Sequence, residues 1–302
     1  MTVLDTTNPG AAPSAARRVG LMLMLAIAAC PAARGAPAAS DGIVDAEQRF
    51  AAAVAADGIG PGFLAFLADS AVVLTPDAKA ARPIYEALKD DGARLVWRAD
   101  LASTSAAGDF GWTSGPWLHY AKEAPAADLA GHYFTVWRRS AADGWKVLLD
   151  GGVAYPVPAE RRATHLDRPL RARAPHRGGG PRDGSCDQPY FADWQKKGRA
   201  HALGEYAARD VRLLATSAPP ADGRDALGAD PLRGSPLVAA RVARRLSSTA
   251  GDLEVAYGEY EVGEHEQFGK RHYAFVLAFD AADHCRLALE LLTPTTAAVT
   301  SP

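Results

Sequence analysis

The chain runs to 302 residues, with 33 Lys and Arg against 35 Asp and Glu, a net charge of −2, and an Ala-, Arg- and Gly-rich composition of the kind high-GC bacterial genomes encode. So balanced a charge gives no footing for nucleic-acid binding, and no stretch beyond the N-terminal region is long and apolar enough to cross a membrane. The remainder of the chain suits two domains of about 120 residues each.

The first 36 residues read as a secretory signal peptide (1–36). Arg17-Arg18 is a positive n-region, and Val19 to Ala29 is an apolar run too short to span a bilayer. Two cleavage readings compete. Ile27-Ala28-Ala29-Cys30 is similar to a bacterial lipobox, which would leave Cys30 as a lipidated N-terminus tethered to a membrane, although Pro31 is not ideal after it. Ala33-Arg34-Gly35 before Ala36 suits ordinary signal peptidase and a soluble periplasmic protein. Either way the expectation is export. With Cys30 acylated or removed, Cys186 and Cys285 remain, and two cysteines in one exported domain favour a disulfide; the sequence alone leaves open whether they meet.

The first domain is expected over 42–156. Ser40 or Asp41 can cap a helix whose Ile43, Ala46, Phe50 and Val54 fall on one face, with Gly58 just past its end. A short helix follows over Phe63 to Leu67, then a β-rich run over Ala71 to Leu74 and a short helix over Pro83 to Leu88. Strands come next at Arg94–Arg98, Phe110–His119, His132–Arg139 and Trp145–Val153, the last pair turned by Asp143-Gly144. Residues 157–185 are rich in Pro, Gly and Arg and nearly without large apolar side chains. They read as a solvated linker whose arginines offer themselves to an anionic surface. The second domain is expected over 186–294, with strands at Glu254–Glu261, His272–Phe279 and Cys285–Leu292, and 295–302 as a tail.

The two domains are one unit written twice. Phe66 to Leu74 (FLADSAVVL) aligns with Tyr206 to Leu214 (YAARDVRLL), and His132 to Gly152 with His272 to Leu292, both at an offset of 140 residues (66 to 206, 132 to 272). Gly108-Asp109-Phe110 and Gly251-Asp252-Leu253 sit at 143, so a small length change lies between. Helices followed by strands make each unit α+β. The two repeats are expected to pack sheet against sheet as an internal pseudo-dimer.

GDFGWTSGPW, then HYFTVWRRSAADGWKVLLDGG, resembles the nuclear transport factor 2-like superfamily, which includes ketosteroid isomerase and the SnoaL-like cyclases. Its branch of unknown function carries a G-D-x-G-x-T-x-G-x-W strand and a similar D-G-W-K hairpin. The second repeat keeps the layout but has Val255, Tyr260, Leu277 and Cys285 where the first has Trp112, Trp117, Trp137 and Trp145. The resemblance implies two tandem cone-shaped domains, each a curved antiparallel sheet wrapped around N-terminal helices, with a pocket at the open end.

Such a cone is a ligand site by shape. Along His132 to Arg139, alternation puts His132, Phe134, Val136 and Arg138 on one face and Tyr133, Thr135, Trp137 and Arg139 on the other, without saying which faces the pocket. Trp97, Trp112, Tyr133 and Trp137 are the candidate aromatic wall. Ketosteroid isomerases use a carboxylate base with a Tyr and a protonated acid in an apolar cone, which makes Asp69, Asp109 and Asp150 the acids to weigh. Asp150 and Glu290 hold matching places at the end of the last strand, whereas Asp109 and Asp252 suit turn caps. His132, matched by His272, is the other acid–base candidate. Glu264-His265-Glu266 sits in a polar loop without a spaced partner, so no metal is expected. The absence of H-E-x-x-H, C-x-x-C, G-x-S-x-G, P-loop and Rossmann patterns argues against metalloproteases, serine hydrolases and nucleotide enzymes, and no cofactor is expected. The leading expectation is an exported protein binding a small apolar or aromatic molecule in its first cone. The alternatives are an isomerase, cyclase or lyase using Asp150 or His132 as base, and a non-catalytic envelope assembly module.

Overall fold

The computed structural model of the chain describes residues 39–74, 77–173, 185–216, 218–263, 270–279 and 284–293. The expected signal peptide, Cys30, Glu264-His265-Glu266 and the tail lie outside them. No described helix is long and apolar enough to cross a membrane.

The first half opens with α1 (Ala39–Asp57) and α2 (Ile59–Phe66). Ile43, Ala46, Phe50 and Val54 make the buried face of α1. Gly58, at φ 89°, turns the chain sharply between the two helices, a conformation only glycine adopts readily. Then come β1 (Leu67–Leu74), β2 (Ala78–Ala80), α3 (Ala81–Ala87), β3 (Arg94–Trp97), β4 (Leu101–Thr104), β5 (Phe110–Tyr120), β6 (Leu129–Ser140) and β7 (Gly144–Ala154). A crossing segment holds α4 (Ala159–Arg162) and β8 (Arg171–Arg173). The second half repeats the plan with α5 (Asp187–Lys197), α6 (Arg199–Tyr206), β9 (Ala207–Ala215), β10 (Ala221–Asp222), a 3₁₀ turn (Arg224–Ala229), β11 (Leu237–Ser247), β12 (Leu253–Val262), β13 (Lys270–Phe279) and β14 (Cys285–Thr293). Gly198, at φ 88°, divides α5 from α6 as Gly58 divides α1 from α2.

The fold is α+β: two cones, each a curved sheet around its N-terminal helices. The sheets run β2-β1-β7-β6-β5-β4-β8, with β3 also on β5, and β10-β9-β14-β13-β12-β11. The expectation of purely antiparallel sheets is corrected. β1 lies parallel to β7, β9 parallel to β14, and β8 parallel to β4. β1 and β9 leave their helices directly, and a long connection separates each from its sheet neighbour, so no hairpin enforces antiparallel pairing.

A β-bulge decides what each cone holds. Between β6 and β7 the register steps from Val136↔Leu149 to Trp137↔Val147, leaving Leu148 as the extra residue. Between β13 and β14 it steps from Val276↔Leu289 to Leu277↔Leu287, leaving Ala288. Side chains before and after a bulge change face relative to simple alternation. Trp145 and Val147 therefore pack inside the first cone, while Leu149 points out of it and Asp150 points in, opposite Thr135. Glu290 arrives inside the second cone by the same step.

The outward faces meet. Phe110, Trp112, Phe134, Val136 and Leu149 form one continuous core with Leu253, Val255, Ala274, Val276 and Leu289, the residues at matching repeat positions. Around it the two halves exchange matched hydrogen bonds. Asp109 accepts from Ser105 Oγ at 2.8 Å and from the Thr249 N–H at 3.1 Å, and Asp252 accepts from Ser248 Oγ at 2.7 Å and from the Ala106 N–H at 2.7 Å. The two aspartates thus cap their own loops, as expected of them, and each also reaches the other half.

Residues 157–173 are not the solvated spacer the composition predicts. Val157 is buried, β8 adds a strand to the first sheet, and three of the arginines pair with acids, of which Asp100 is buried, Asp222 half-buried and Asp210 exposed. Arg168 binds Asp100 at 2.7 Å and Asp222 at 2.9 Å, Arg171 binds Asp222 at 3.0 Å, and Arg173 binds Asp210 at 2.9 Å. Arg212 joins the same cluster, on Asp100 at 2.5 Å and Asp222 at 2.7 Å. Composition misleads here because arginines paired with acids across the fold need no apolar neighbours to become ordered. Cys186 and Cys285 form a disulfide, with Cα atoms 5.8 Å apart, tying the start of α5 to the start of β14.

Candidate functional site

The mouth of the first cone holds a cavity of about 380 Å³. Phe50 from α1, Phe63 from α2 and Tyr85 from α3 line one side. Trp97 from β3, Trp117 and His119 from β5, and Tyr133 and Thr135 from β6 line the other, with Asp150 and residues 151–154 of β7 completing the wall. The rings support one another: Phe63 stacks on Tyr85 with centroids 4.2 Å apart, and Phe50 meets Phe63 and Trp97 edge-on at 4.7 and 5.0 Å.

The polar groups form a row across the sheet. Thr113, Thr135 and Asp150 are paired neighbours on β5, β6 and β7. Thr135 Oγ1 donates to Asp150 Oδ1 at 2.6 Å, and Thr113 Oγ1 donates to Glu47 Oε2. Glu47, 2% exposed on α1, also accepts from Trp97 Nε1 at 2.5 Å and Trp137 Nε1 at 3.3 Å. The Tyr133 hydroxyl is buried without a partner in hydrogen-bonding geometry. Burial pushes the Asp150 carboxyl up to about 7, with the nearby Glu47 adding to the effect and the Thr135 bond opposing it. Burial pushes Glu47 up to about 6 against the hydrogen bonds it accepts. Two acids thus sit in an apolar cone with no Lys or Arg among the residues lining the cavity.

The structure sorts the sequence candidates. Trp97, Tyr133 and Asp150 line the cavity. Trp137 lies deeper, its ring in the cone core and its Nε1 committed to Glu47 and to Thr113 at 3.0 Å. Trp112 is corrected: it lies on the opposite face of β5, in the core between the halves. His132 is corrected as well. It points out of the cone, fully buried at the joint, where Arg168 approaches its Nε2 at 3.4 Å and its Nδ1 lies 2.6 Å from the Tyr155 hydroxyl. With Nε2 accepting, the neutral ring carries its proton on Nδ1. Burial, with Arg212 and Arg168 beside it, drives its pKa down to about 2, so it carries no proton to trade near neutrality and does not face Asp150. Asp69 is exposed on β1.

Glu47, Tyr85 and Trp117 were not among the candidates. Glu47 had a signal: it follows Ile43 by four residues and precedes Phe50 by three, on the apolar face of α1, and Asp187 stands at the same place in the second repeat. Tyr85 had none, because α3 is short and its orientation is set by tertiary packing.

The second cone is built on the same acid and closed differently. Glu290 is completely buried and holds the Arg199 guanidinium, 1% exposed. Arg199 also donates to Tyr190 Oη at 2.8 Å and Asp230 Oδ2 at 2.5 Å and lies 4.5 Å above the Trp194 ring. Burial works against its charge, but Glu290, Tyr190 and Asp230 hold its pKa well above the ordinary value.

No family model matches the chain, and no curated protein matches it. Solved structures do. An NTF2-like protein of unknown function from Pseudomonas putida is 16% identical over 38% of this chain and 85% of its own, with a TM-score of 0.31. A ketosteroid isomerase-like protein from Erwinia carotovora atroseptica is 17% identical over 37% and 89%, with a TM-score of 0.30. A domain of unknown function with a cystatin-like fold from Nostoc punctiforme is 14% identical over 42% and 83%, with a TM-score of 0.33. The chain is thus similar, over about two fifths of its length at a time, to NTF2-like and ketosteroid isomerase-like proteins, the group its hairpin motif resembles.

Proposed function

We propose that this is an exported bacterial protein that binds a small apolar or aromatic molecule in the cavity of its first cone, with the second half as its built-in structural partner, a pseudo-subunit. The observation that carries the reading is the aromatic-walled cavity of about 380 Å³, a volume suited to a small ligand, with Asp150 on its wall. The matched core residues and the reciprocal Asp109 and Asp252 contacts support the pseudo-subunit role. The Cys186–Cys285 bond suits an oxidising compartment, and the Arg17-Arg18 and Val19–Ala29 pattern suits export to the periplasm or a tether through Cys30. Native mass spectrometry of the protein recovered from the envelope tests it. The expected spectrum shows a small-molecule adduct that leaves on denaturation and is absent from Tyr85→Ala. An apo mass, together with no displacement of any aromatic probe from the cavity, sinks the reading.

One observation favours a second reading, an isomerase, cyclase or lyase. Asp150, poised near neutrality on an apolar wall, has the pKa of a general base. Asp150→Asn would then abolish turnover of a carbonyl or hydroxyl substrate while the circular dichroism spectrum stays unchanged.

A further inference from the structure

We propose that the ligand of the first cone carries a positive charge, an ammonium or guanidinium group seated on Asp150 among the aromatic side chains. The inference rests on the binding reading above and names the ligand class for that cavity.

The second half supplies the template. Residues at an offset of 140 correspond through second helices of equal length, first helices that end alike before Gly58 and Gly198, and matching strand registers: Ile59 with Arg199 at the start of the eight-residue second helix, Phe50 with Tyr190, Val54 with Trp194, and Asp150 with Glu290 just past the bulge. In the second cone the acid is answered from within. The Arg199 guanidinium forms a two-pronged pair with Glu290, takes the Tyr190 hydroxyl and lies over the Trp194 ring. In the first cone the acid is kept, but the position that would supply the cation is Ile59. The space is lined instead by Phe63, Tyr85, Trp97, Trp117 and Tyr133, with no Lys or Arg among the lining residues and His119 engaged by Asp128. Aromatic faces attract cations through their quadrupole, and a carboxylate in an apolar wall attracts them through its charge. The Tyr133 hydroxyl, buried beside the Glu47 carboxyl and Thr113, adds an oxygen that can accept from an N–H donor, as Tyr190 does for Arg199. A neutral molecule would fill the same volume and leave the acid unanswered.

Protonation gives the proposal a second signature. The groups facing Asp150 are Thr135 and Tyr133 on β6, Glu47 on α1, Tyr85 on α3, and His119 on β5, which is itself held by Asp128 at 2.7 Å. None of them is a Lys or Arg, and the His119 ring is engaged by Asp128. In the empty cavity burial keeps Asp150 near 7, and a bound cation favours the ionised form. Cation binding therefore expels a proton below about pH 7, and affinity falls as the pH drops through that value.

The test uses phenylguanidine, which stays charged throughout, against its neutral near-isostere phenylurea, with toluene as an apolar control. Binding to the full chain is followed by tryptophan fluorescence and calorimetry at about pH 5 and about pH 9. The expected result is that phenylguanidine binds at least about tenfold more tightly than phenylurea at the higher pH. The preference should shrink at the lower pH and disappear in Asp150→Asn. Phenylurea binding as tightly as phenylguanidine, or a cation preference that survives Asp150→Asn, overturns the charge assignment while the binding reading stands. Binding of none of the three probes overturns both.

Discussion

The two cones differ in one decision made at the same place. Each brings an acid into its interior just past a bulge, Asp150 in one and Glu290 in the other. The second half answers the acid with Arg199 and gives up its interior to a buried ion pair. The first half leaves the acid on the wall of an aromatic cavity. A buried carboxylate with a counter-charge is a structural element, and one held only by a neutral hydroxyl, as Asp150 is by Thr135, favours its protonated form. The comparison teaches that one repeat position can be used in two ways: in one copy the shared acid is locked into a buried ion pair, in the other it stands on a cavity wall.

The largest expected effect comes from breaking the closed cone. Arg199→Met strands Glu290 and Asp230 in a dry interior and is expected to cost about 3–5 kcal/mol in urea unfolding, while Arg199→Met with Glu290→Met regains the Glu290 share and leaves that of Asp230, because an ion pair's own net contribution is small against an apolar replacement. A single mutant no weaker than the double one would show that the second cone tolerates an open acid and would erase the contrast. Next comes the disulfide. Cys186→Ala with Cys285→Ala is expected to cost about 2–5 kcal/mol, read as a fall in the unfolding midpoint that reductant also produces in the wild type.

The first cone should respond in the opposite sense. The folded-state pKa of Asp150 lies above its unfolded value, so the native state holds a proton that the unfolded state releases between about pH 4 and pH 7, and stability falls as the pH rises through that window. Asp150→Asn removes this loss. It is expected to stabilise the protein by about 1–2 kcal/mol at about pH 8, after allowance for the carboxyl's partial exposure to the cavity, and to change nothing at about pH 4. Thermal melts at the two values check it, and a destabilised mutant at the higher pH would mean that Asp150 already has a counter-charge. His132 pulls the other way. Its folded-state pKa lies far below its unfolded value, so stability is lost as the pH falls below about 6.5, and His132→Gln should flatten that limb of the melting profile. The smallest effect concerns the joint. Asp109→Ala and Asp252→Ala are each expected to cost about 1–2 kcal/mol, and by similar amounts because their bonding is matched. A cost confined to one of them would show that the two halves do not share the load.

Much of the fold was legible before any coordinate. The α1 face, the glycine break at Gly58, the long hairpin strands and the 140-residue repeat all appear as expected, because apolar periodicity and glycine conformation act over a few residues. β4, β8 and β11 were missed. β4 is only four residues long, β8 owes its place to a neighbouring strand, and most of β11 is exposed, with arginines at 241, 244 and 245 that blur its alternation. At the site, Asp150, Trp97 and Tyr133 were legible as candidates and are together in space. Trp112 and His132 were drawn to the wrong side because alternation separates two faces without naming the inner one.

The sequence by itself determined that the unit is repeated, that each copy carries helices before strands, and that an acid stands at the end of the last strand in both. These features come from local pattern and from self-comparison, which need no knowledge of contacts. Only the tertiary structure decided which sheet face lines the cone, that a one-residue bulge at Leu148 turns Asp150 inward, and that Arg199 answers Glu290 across 91 residues of chain. Those outcomes depend on how a curved sheet closes on its helices and on which second surface covers its outer face, and both are properties of the assembled chain rather than of any segment in it.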